Sequence, residues 1–281
     1  MRIAVVGLGA VGSAALRFVA QQGHEAVGYE QFIRGHMRGS SHGESRIYRL
    51  TYADPHYTRL MREAFPLWQA LQAEAGDALI VPCGVLWLGD ADDPELNAIA
   101  NALQSEGVPY EWLDSASLTA RFPALRIEAH ERALFQREGG FLRASACVLA
   151  NLRLAEAHGA VVCEQTRITR IEPQPDGVWL ETESGIRERY DRVLLTAGAW
   201  LPKLLPSLNL PLTVTRQTYA YFAVRPDAEP RFAPERMPVW IEATRHFYGF
   251  PSDGRQAGVK VAWHRLGEVH DPDTPARPVD E

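Results

Sequence analysis

Residues 2–30 read RIAVVGLGAVGSAALRFVAQQGHEAVGYE, and this stretch decides the fold. The apolar run over 3–6 predicts a short buried strand leading into Gly7-x-Gly9-x-x-Gly12. A helical pattern over 13–22 follows, Gly23 ends it, and a second strand over 25–29 delivers Glu30. Each part has a mechanical reason: Gly7 permits a tight turn, Gly9 leaves room for a pyrophosphate, and Gly12 lets helix and strand pack closely. The helix start offers free N–H groups and the positive end of its dipole. Glu30 falls where a carboxylate accepts hydrogen bonds from the ribose hydroxyls of an adenosine. Strand, helix, second strand and acidic end in this order predict a dinucleotide-binding βαβ unit. The fingerprint does not choose between NAD and FAD, and Glu30 argues against NADP, whose 2′-phosphate it would repel.

Working outward, 281 residues accommodate two domains. With 46% hydrophobic and 23% charged residues, the chain reads as an ordinary globular protein rather than a disordered one. A net charge of −6 argues against a general nucleic-acid binder. Cys83, Cys147 and Cys163 are an odd count at no metal-like spacing, and they read as free thiols in a reducing compartment. No small-residue cleavage site follows the apolar start, and no apolar run reaches the ~20 residues of a membrane span. The expectation is a cytoplasmic protein with no membrane, nucleic-acid or metal partner.

Residues 31–46 are rich in Gly, Ser, His and Arg and read as a loop. A helix is expected over 57–75, with Leu60, Met61, Ala64, Phe65, Leu67, Trp68 and Leu71 on its apolar face. A strand over 79–88 is broken at Cys83-Gly84, and helices are expected over 94–106, 115–122 and 144–158. A turn is read at 139–141. Strands over 169–172, 178–183 and 186–190 form a hairpin set, and 192–196 reads as a buried strand ending at Ala197-Gly198. Alternation predicts further strands over 212–224, 239–248 and 259–263. The fold class is therefore α/β: a Rossmann-like nucleotide domain interleaved with an α+β domain of mainly antiparallel sheet. The boundaries are 1–78 and 142–205 for the first, and 79–141 and 206–281 for the second.

Four stretches together resemble the monomeric sarcosine oxidase and N-methyltryptophan oxidase family, within the glutathione-reductase-like, D-amino-acid-oxidase-like flavoproteins. They are the fingerprint with Glu30, GSSHGESRIYR over 39–49 with Tyr52, GFLR over 140–143, and YGFPS over 248–252 followed by Lys260 and His264. The resemblance covers essentially the whole chain and implies FAD, oxidation of a secondary amine such as an N-methyl amino acid, and oxygen as electron acceptor, giving H2O2. It implies that Ser40, His42 and Arg46 lie along the flavin, and that Ile168 and the turn at Gly198 close over the adenosine. By the same likeness Arg49 pairs with the substrate carboxylate, which a planar guanidinium can hold through two parallel bonds. Tyr248 and His264 match residues lining the substrate pocket, and Lys260 matches a lysine that activates oxygen beside the flavin. A cation at ~4 Å and an effective dielectric of ~20 contributes about 4 kcal/mol of gross attraction to negative charge developing on oxygen. Ser41 stands where the family usually has histidine.

Family members continue for a long C-terminal portion that carries the cysteine bonded to the flavin and a second carboxylate-binding lysine. This chain stops at Glu281, so no covalent flavin link is expected within it, and a monomer is the default. Three readings stand at this stage: an amine oxidase, a flavin dehydrogenase with another acceptor, and a non-catalytic nucleotide-binding fragment.

Overall fold

The computed structural model describes residues 1–265 and 267–274. In chain order they form β1 (Arg2–Val6), α1 (Ala10–Gln21), β2 (Glu25–Tyr29), β3 (Arg46–Tyr48), α2 (Pro55–Ala75), β4 (Ile80–Val81), β5 (Val85–Asp90) and α3 (Pro94–Ser105). Next come β6 (Glu111–Leu113), α4 (Ser115–Arg121), β7 (Glu131–Gln136), β8 (Gly140–Leu142), α5 (Ala144–Ala157), β9 (Val161–Cys163), β10 (Ile168–Gln174) and β11 (Gly177–Thr182). β12 (Arg187–Tyr190), β13 (Arg192–Leu195), α6 (Leu201–Leu204), β14 (Tyr219–Phe222), β15 (Val239–Glu242), β16 (Phe247–Phe250) and β17 (Val259–Trp263) follow. The chain divides into two compact units.

The first unit takes residues 1–43, 144–216 and the described residues from Glu268 onward. Its parallel sheet has the order β13-β1-β2-β9, with the fingerprint strand inside it. Successive side chains of β1 serve opposite faces. Val5 packs with Leu16 and Ala20 of α1 and Leu152 and Ala155 of α5. Ala4 and Val6 pack with Ile168, Leu180 and Tyr190 of the meander β10-β11-β12. Both faces are covered, which explains why β1 reads as an unbroken apolar run rather than an alternating one.

The second unit takes residues 44–143 and 217–267, Leu266 lying outside the described residues. Its main sheet has the order β14-β17-β16-β15-β5-β7-β6, antiparallel except for the β15–β5 pair. β5 again serves two cores. Val85 and Trp87 meet Leu96, Ile99 and Leu103 of α3, and Leu86 and Leu88 meet Leu118 of α4 and Phe135. Asp54, Asp93 and Asp114 cap α2, α3 and α4, each side chain accepting from a backbone N–H in the first turn.

Several details differ from the sequence expectations. α1 starts at Ala10, inside the fingerprint, because Gly9 is its N-cap. Leu60 and Leu67 are exposed on α2, whereas Met61 and Phe65 pack on the core. The strand expected over 212–224 is only β14, and that over 239–248 is a hairpin, β15 and β16, turned through His246 at φ 61°. β7 gave no sequence signal, since Glu131, Arg132 and Gln136 flank a short apolar core, yet it lies between β5 and β6. The turn read at 139–141 holds strand β8. β13 is half-exposed rather than buried, with Leu194 40% exposed, because it borders the sheet of described strands. Residues 44–78 group with the second unit rather than the first: β3 pairs with β8, and Leu50, Met61 and Phe65 join the α3 core. The second-domain range 206–281 also splits, since 206–216 belong to the first unit, and 275–281 lie outside the described residues. No helix among the described residues is long and apolar enough to cross a membrane.

Leu134 on β7 is fully buried. Leu134→Ala is expected to lower unfolding stability by about 2–5 kcal/mol in urea denaturation, while Leu67→Ala on the exposed side of α2 stays within about 0.5 kcal/mol.

Candidate active site

In the first unit the candidate cofactor residues converge on one cleft. The chain leaves β1 at Gly7, whose φ of 93° favours glycine. A Cβ there would lie 2.7 Å from the Thr196 carbonyl oxygen, and one on Gly12 would lie 1.8 Å from the Gly7 oxygen. Gly7 thus lets the turn before Gly198 close in, and Gly12 seats α1 against β1. Thr196 Oγ1 donates to the Gly7 oxygen at 2.7 Å and locks the two turns together. α1 begins without a side-chain cap from Gly9. Its Ala10 N–H instead donates to Ser41 Oγ at 2.9 Å, a contact between residues 31 apart that no motif signals.

Glu30 is 7% exposed at the end of β2. Its Oε2 accepts from Leu8 N at 3.0 Å and its Oε1 from Phe32 N at 3.1 Å, with His36 Nε2 at 3.5 Å. Burial alone would raise its pKa, but the His36 contact and the two backbone N–H groups outweigh that and hold the carboxyl below its ordinary range. Oε2, with one donor, keeps a lone-pair direction for a further one. Gly7, Gly9, Glu30, Ser40, His42, Ile168 and Gly198 all line a cleft of about 390 Å³. Arg34 and Glu164 line it too. Arg34 pairs with Glu164 and, through both guanidinium nitrogens at 2.9 Å, with Glu156. Gly12 is a packing position and does not line the cleft.

Arg46 is not in that cleft; it stands on β3 of the second unit, exposed, near enough to act electrostatically on Lys260 and Tyr248. Lys260 is the second residue of β17 and is 4% exposed. The register sets Tyr221 of β14 and Phe250 of β16 beside it, and sets Tyr219 and Tyr248 on either side of Ala262. Cross-strand partners share a sheet face, so these side chains surround the ammonium. Lys260 Nζ donates to Ser45 O at 3.2 Å and Ser45 Oγ at 3.4 Å. It lies 4.5 Å from the Tyr219 ring centroid and 4.8 Å from that of Phe250. Burial, then the like charge of Arg46, bring its pKa down to about 8. The chain has only two lysines, Lys203 and Lys260, against 27 arginines. An arginine at 260 could not titrate in this way.

Tyr248 and His264 meet edge to face at 5.9 Å, and line an open cavity of about 670 Å³ with Gln217, Trp263 and Arg265. Burial raises the Tyr248 pKa against the opposing effect of Arg46. The Arg49 guanidinium stands over the rings of Tyr52 at 4.6 Å and Trp87 at 5.1 Å, and Trp87 Nε1 donates to Thr51 Oγ1 at 2.9 Å. Phe141 packs edge-on against Phe250, and Arg143 pairs with Asp253, which joins the GFLR stretch to the segment after β16. Burial pushes the Cys83 thiol up to about 12 and the Cys147 thiol up to about 11, and raises that of Cys163. Among the described residues, Asp90, His130 and Glu131 cluster on the surface, where Glu131 already pairs with Arg245 at 3.2 Å.

The family profile described as DAO, FAD dependent oxidoreductase, matches residues 2–280. Monomeric sarcosine oxidase of Streptomyces avermitilis is 34% identical over 284 residues, covering 99% of this chain and 73% of that protein. N-methyl-L-tryptophan oxidase of Citrobacter koseri is 30% identical over 275 residues, covering 96% of this chain and 72% of that protein. Among solved structures, NikD, described as an unusual amino acid oxidase essential for nikkomycin biosynthesis, is similar with a TM-score of 0.85 at 27% identity, over 99% of this chain and 73% of that one.

The cleft fits an FAD. It offers a glycine turn at the start of α1, with Ser41 against the first N–H, and a buried carboxylate with acceptor capacity left for ribose hydroxyls. Glu30→Gln is expected to weaken FAD binding to the apoprotein about tenfold, the loss of one charge-assisted hydrogen bond, in a flavin fluorescence titration.

Proposed function

The chain belongs to the FAD dependent oxidoreductase family, as its match over residues 2–280 shows, and on that footing we propose that it oxidises an N-methyl amino acid or similar secondary amine with oxygen as acceptor. The observation that carries this reading is the buried Lys260 ammonium, which has no carboxylate partner among the described residues and shares a sheet face with Tyr248. The 34% and 30% identities to a sarcosine oxidase and an N-methyl-L-tryptophan oxidase support the choice of substrate class. We assign the cofactor to the first unit and substrate recognition to the second, with the monomer as the working state.

Bound FAD supplies a two-electron acceptor for the hydrogen on the N–CH carbon and passes the electrons on to oxygen, giving H2O2. The chain's own residues supply the rest. Arg49, always charged and stacked on Tyr52 and Trp87, takes the substrate carboxylate in a two-point contact. Tyr248 and His264 wall the substrate's other end and fix which carbon is presented. The amine reacts neutral, so its ammonium proton must leave before hydride transfer, and the imine product then hydrolyses in water. Lys260 holds positive charge where oxygen takes up negative charge, a preorganised electrostatic role that needs no motion. Gly7, Gly9, Glu30, Ser40, His42, Ile168 and Gly198 hold the nucleotide, and Arg46 adds a second cation near Lys260. With their pKa values pushed up by burial, the cysteine thiols are poor candidates for a bond to the flavin, and we assign a noncovalent cofactor.

Lys260→Met is expected to slow reoxidation by oxygen about a hundredfold or more while anaerobic reduction by substrate keeps its rate, in stopped-flow absorbance. Since Lys260 is charged below its pKa of about 8, wild-type reoxidation holds below that pH and falls as pH rises through it. The reductive half-reaction should instead rise with pH through the pKa of the bound amine. Oxygen reactivity that survives in Lys260→Met would remove the assignment.

A further inference from the structure

A buried ammonium has three hydrogens to satisfy, and among the described residues Ser45 supplies the only hydrogen-bond acceptors for Lys260, its carbonyl and its hydroxyl. The remaining side is faced by π-surfaces, Tyr219 at 4.5 Å and Phe250 at 4.8 Å. Phe250 is buried and follows from the YGFPS stretch. Tyr219 was not singled out by the sequence; it sits on β14, at the border of the main sheet, 40% exposed, and meets Tyr221 edge to face at 6.0 Å. Its register places it beside Ala262, a small residue that leaves the ring free to lean over its neighbour Lys260. The other groups acting on this face are Arg46 from β3, Tyr221 from β14, on whose hydroxyl Ser45 acts, and Tyr248 from β16. Glu44 and Asp253 act on Tyr221.

We propose that Tyr219 is a positioning residue for Lys260: its ring face holds the side chain as a protonated ammonium on this sheet face, in the role a carboxylate would otherwise fill. The attraction of a ring quadrupole for a cation grows as water is excluded, and here the cation is 4% exposed. A carboxylate partner would fix the charge equally well but neutralise it, leaving nothing for an anionic oxygen species to meet. The ring stabilises the charge without cancelling it. Burial and Arg46 work against the charge, and Tyr219 works for it, so the pH at which Lys260 loses its proton is set by this balance. The claim about the proton stands on the geometry alone; its consequence for oxygen rests on the function proposed above.

The two-lysine composition makes the test direct. Protein labelled with 13C at lysine Cε gives two signals to follow against pH by NMR, Lys260 and Lys203. The hydrogen bonds of Lys203 to Asp271 and Asp273 hold its pKa above the ordinary value, which makes it an internal control that the fold is intact. Tyr219→Leu keeps an apolar cover but removes the π-face, and is expected to lower the Lys260 midpoint by about half to one pH unit. Tyr219→Phe keeps the face and should leave the midpoint at the wild-type value. Tyr219→Val, suited to a border strand, serves if the leucine variant does not fold. A Leu or Val midpoint equal to or above the wild-type value overturns the proposal, as does a Phe midpoint as low as that of Leu. The pH limb of reoxidation should move with the NMR midpoint. If Lys260→Met keeps its oxygen reactivity, the oxygen role assigned to Lys260 fails, while the NMR midpoints still judge Tyr219.

Discussion

An ammonium group taken out of water without a carboxylate beside it is the constraint on which the second unit depends. Desolvation of such a charge is unfavourable by several kcal/mol even after relaxation, and most proteins avoid it by pairing or by leaving lysine at the surface. Here the strands on both sides of Lys260 bring rings rather than acids, and Ser45 supplies the two oxygens. The antiparallel order β14-β17-β16 is what makes this arrangement possible, because a one-residue slip would turn Lys260 to the opposite face. The segment 44–52 is tied to the same unit by β3 pairing with β8, which anchors Arg46 through the backbone, while Ser45 meets the lysine through its carbonyl and hydroxyl oxygens.

The first unit solves the converse problem, a buried carboxylate. Glu30 is held ionised by His36 and by two backbone donors, Leu8 within the fingerprint and Phe32 just after it. The carboxylate is thus held by the same turn that leads from β1 into α1, which ties its ionisation to the integrity of β1 and β2. Arg34, Glu156 and Glu164 hold the segment after β2 against α5 and the loop after β9, so one wall of the cleft is set by ion pairs rather than by apolar packing.

What was legible in the sequence was what depends on local order. The β1–α1–β2 unit could be read because strand, glycines, helix and carboxylate follow one another within 29 residues. The helices α2 to α5 could be read because their apolar spacing is regular. Strand extents were less legible where alternation continues past the pairing: 212–218 alternates in sequence, yet only Tyr219–Phe222 finds a partner strand in β17. The break between β15 and β16 was hidden because His246 takes a positive φ without being glycine. β7 was missed because only Ala133, Leu134 and Phe135 are apolar in it, and what makes it a strand is the two neighbours it gains in the sheet. Lys260 and Arg46 were found only through likeness to a family, since a lysine in an apolar strand reads equally well as pointing outward. Tyr219 could not be found at all, because its role depends on register with Ala262 and not on any motif.

Passage of electrons from an amine to oxygen through FAD, as proposed for this chain, can be followed in the visible spectrum of the purified protein. FAD is added, sarcosine or N-methyltryptophan is introduced without air, and oxygen is then admitted. The account predicts an oxidised flavin spectrum that bleaches with substrate and recovers at once in air, with one H2O2 formed per flavin. A protein that takes up no FAD, or a bleached spectrum that persists in air, would contradict it.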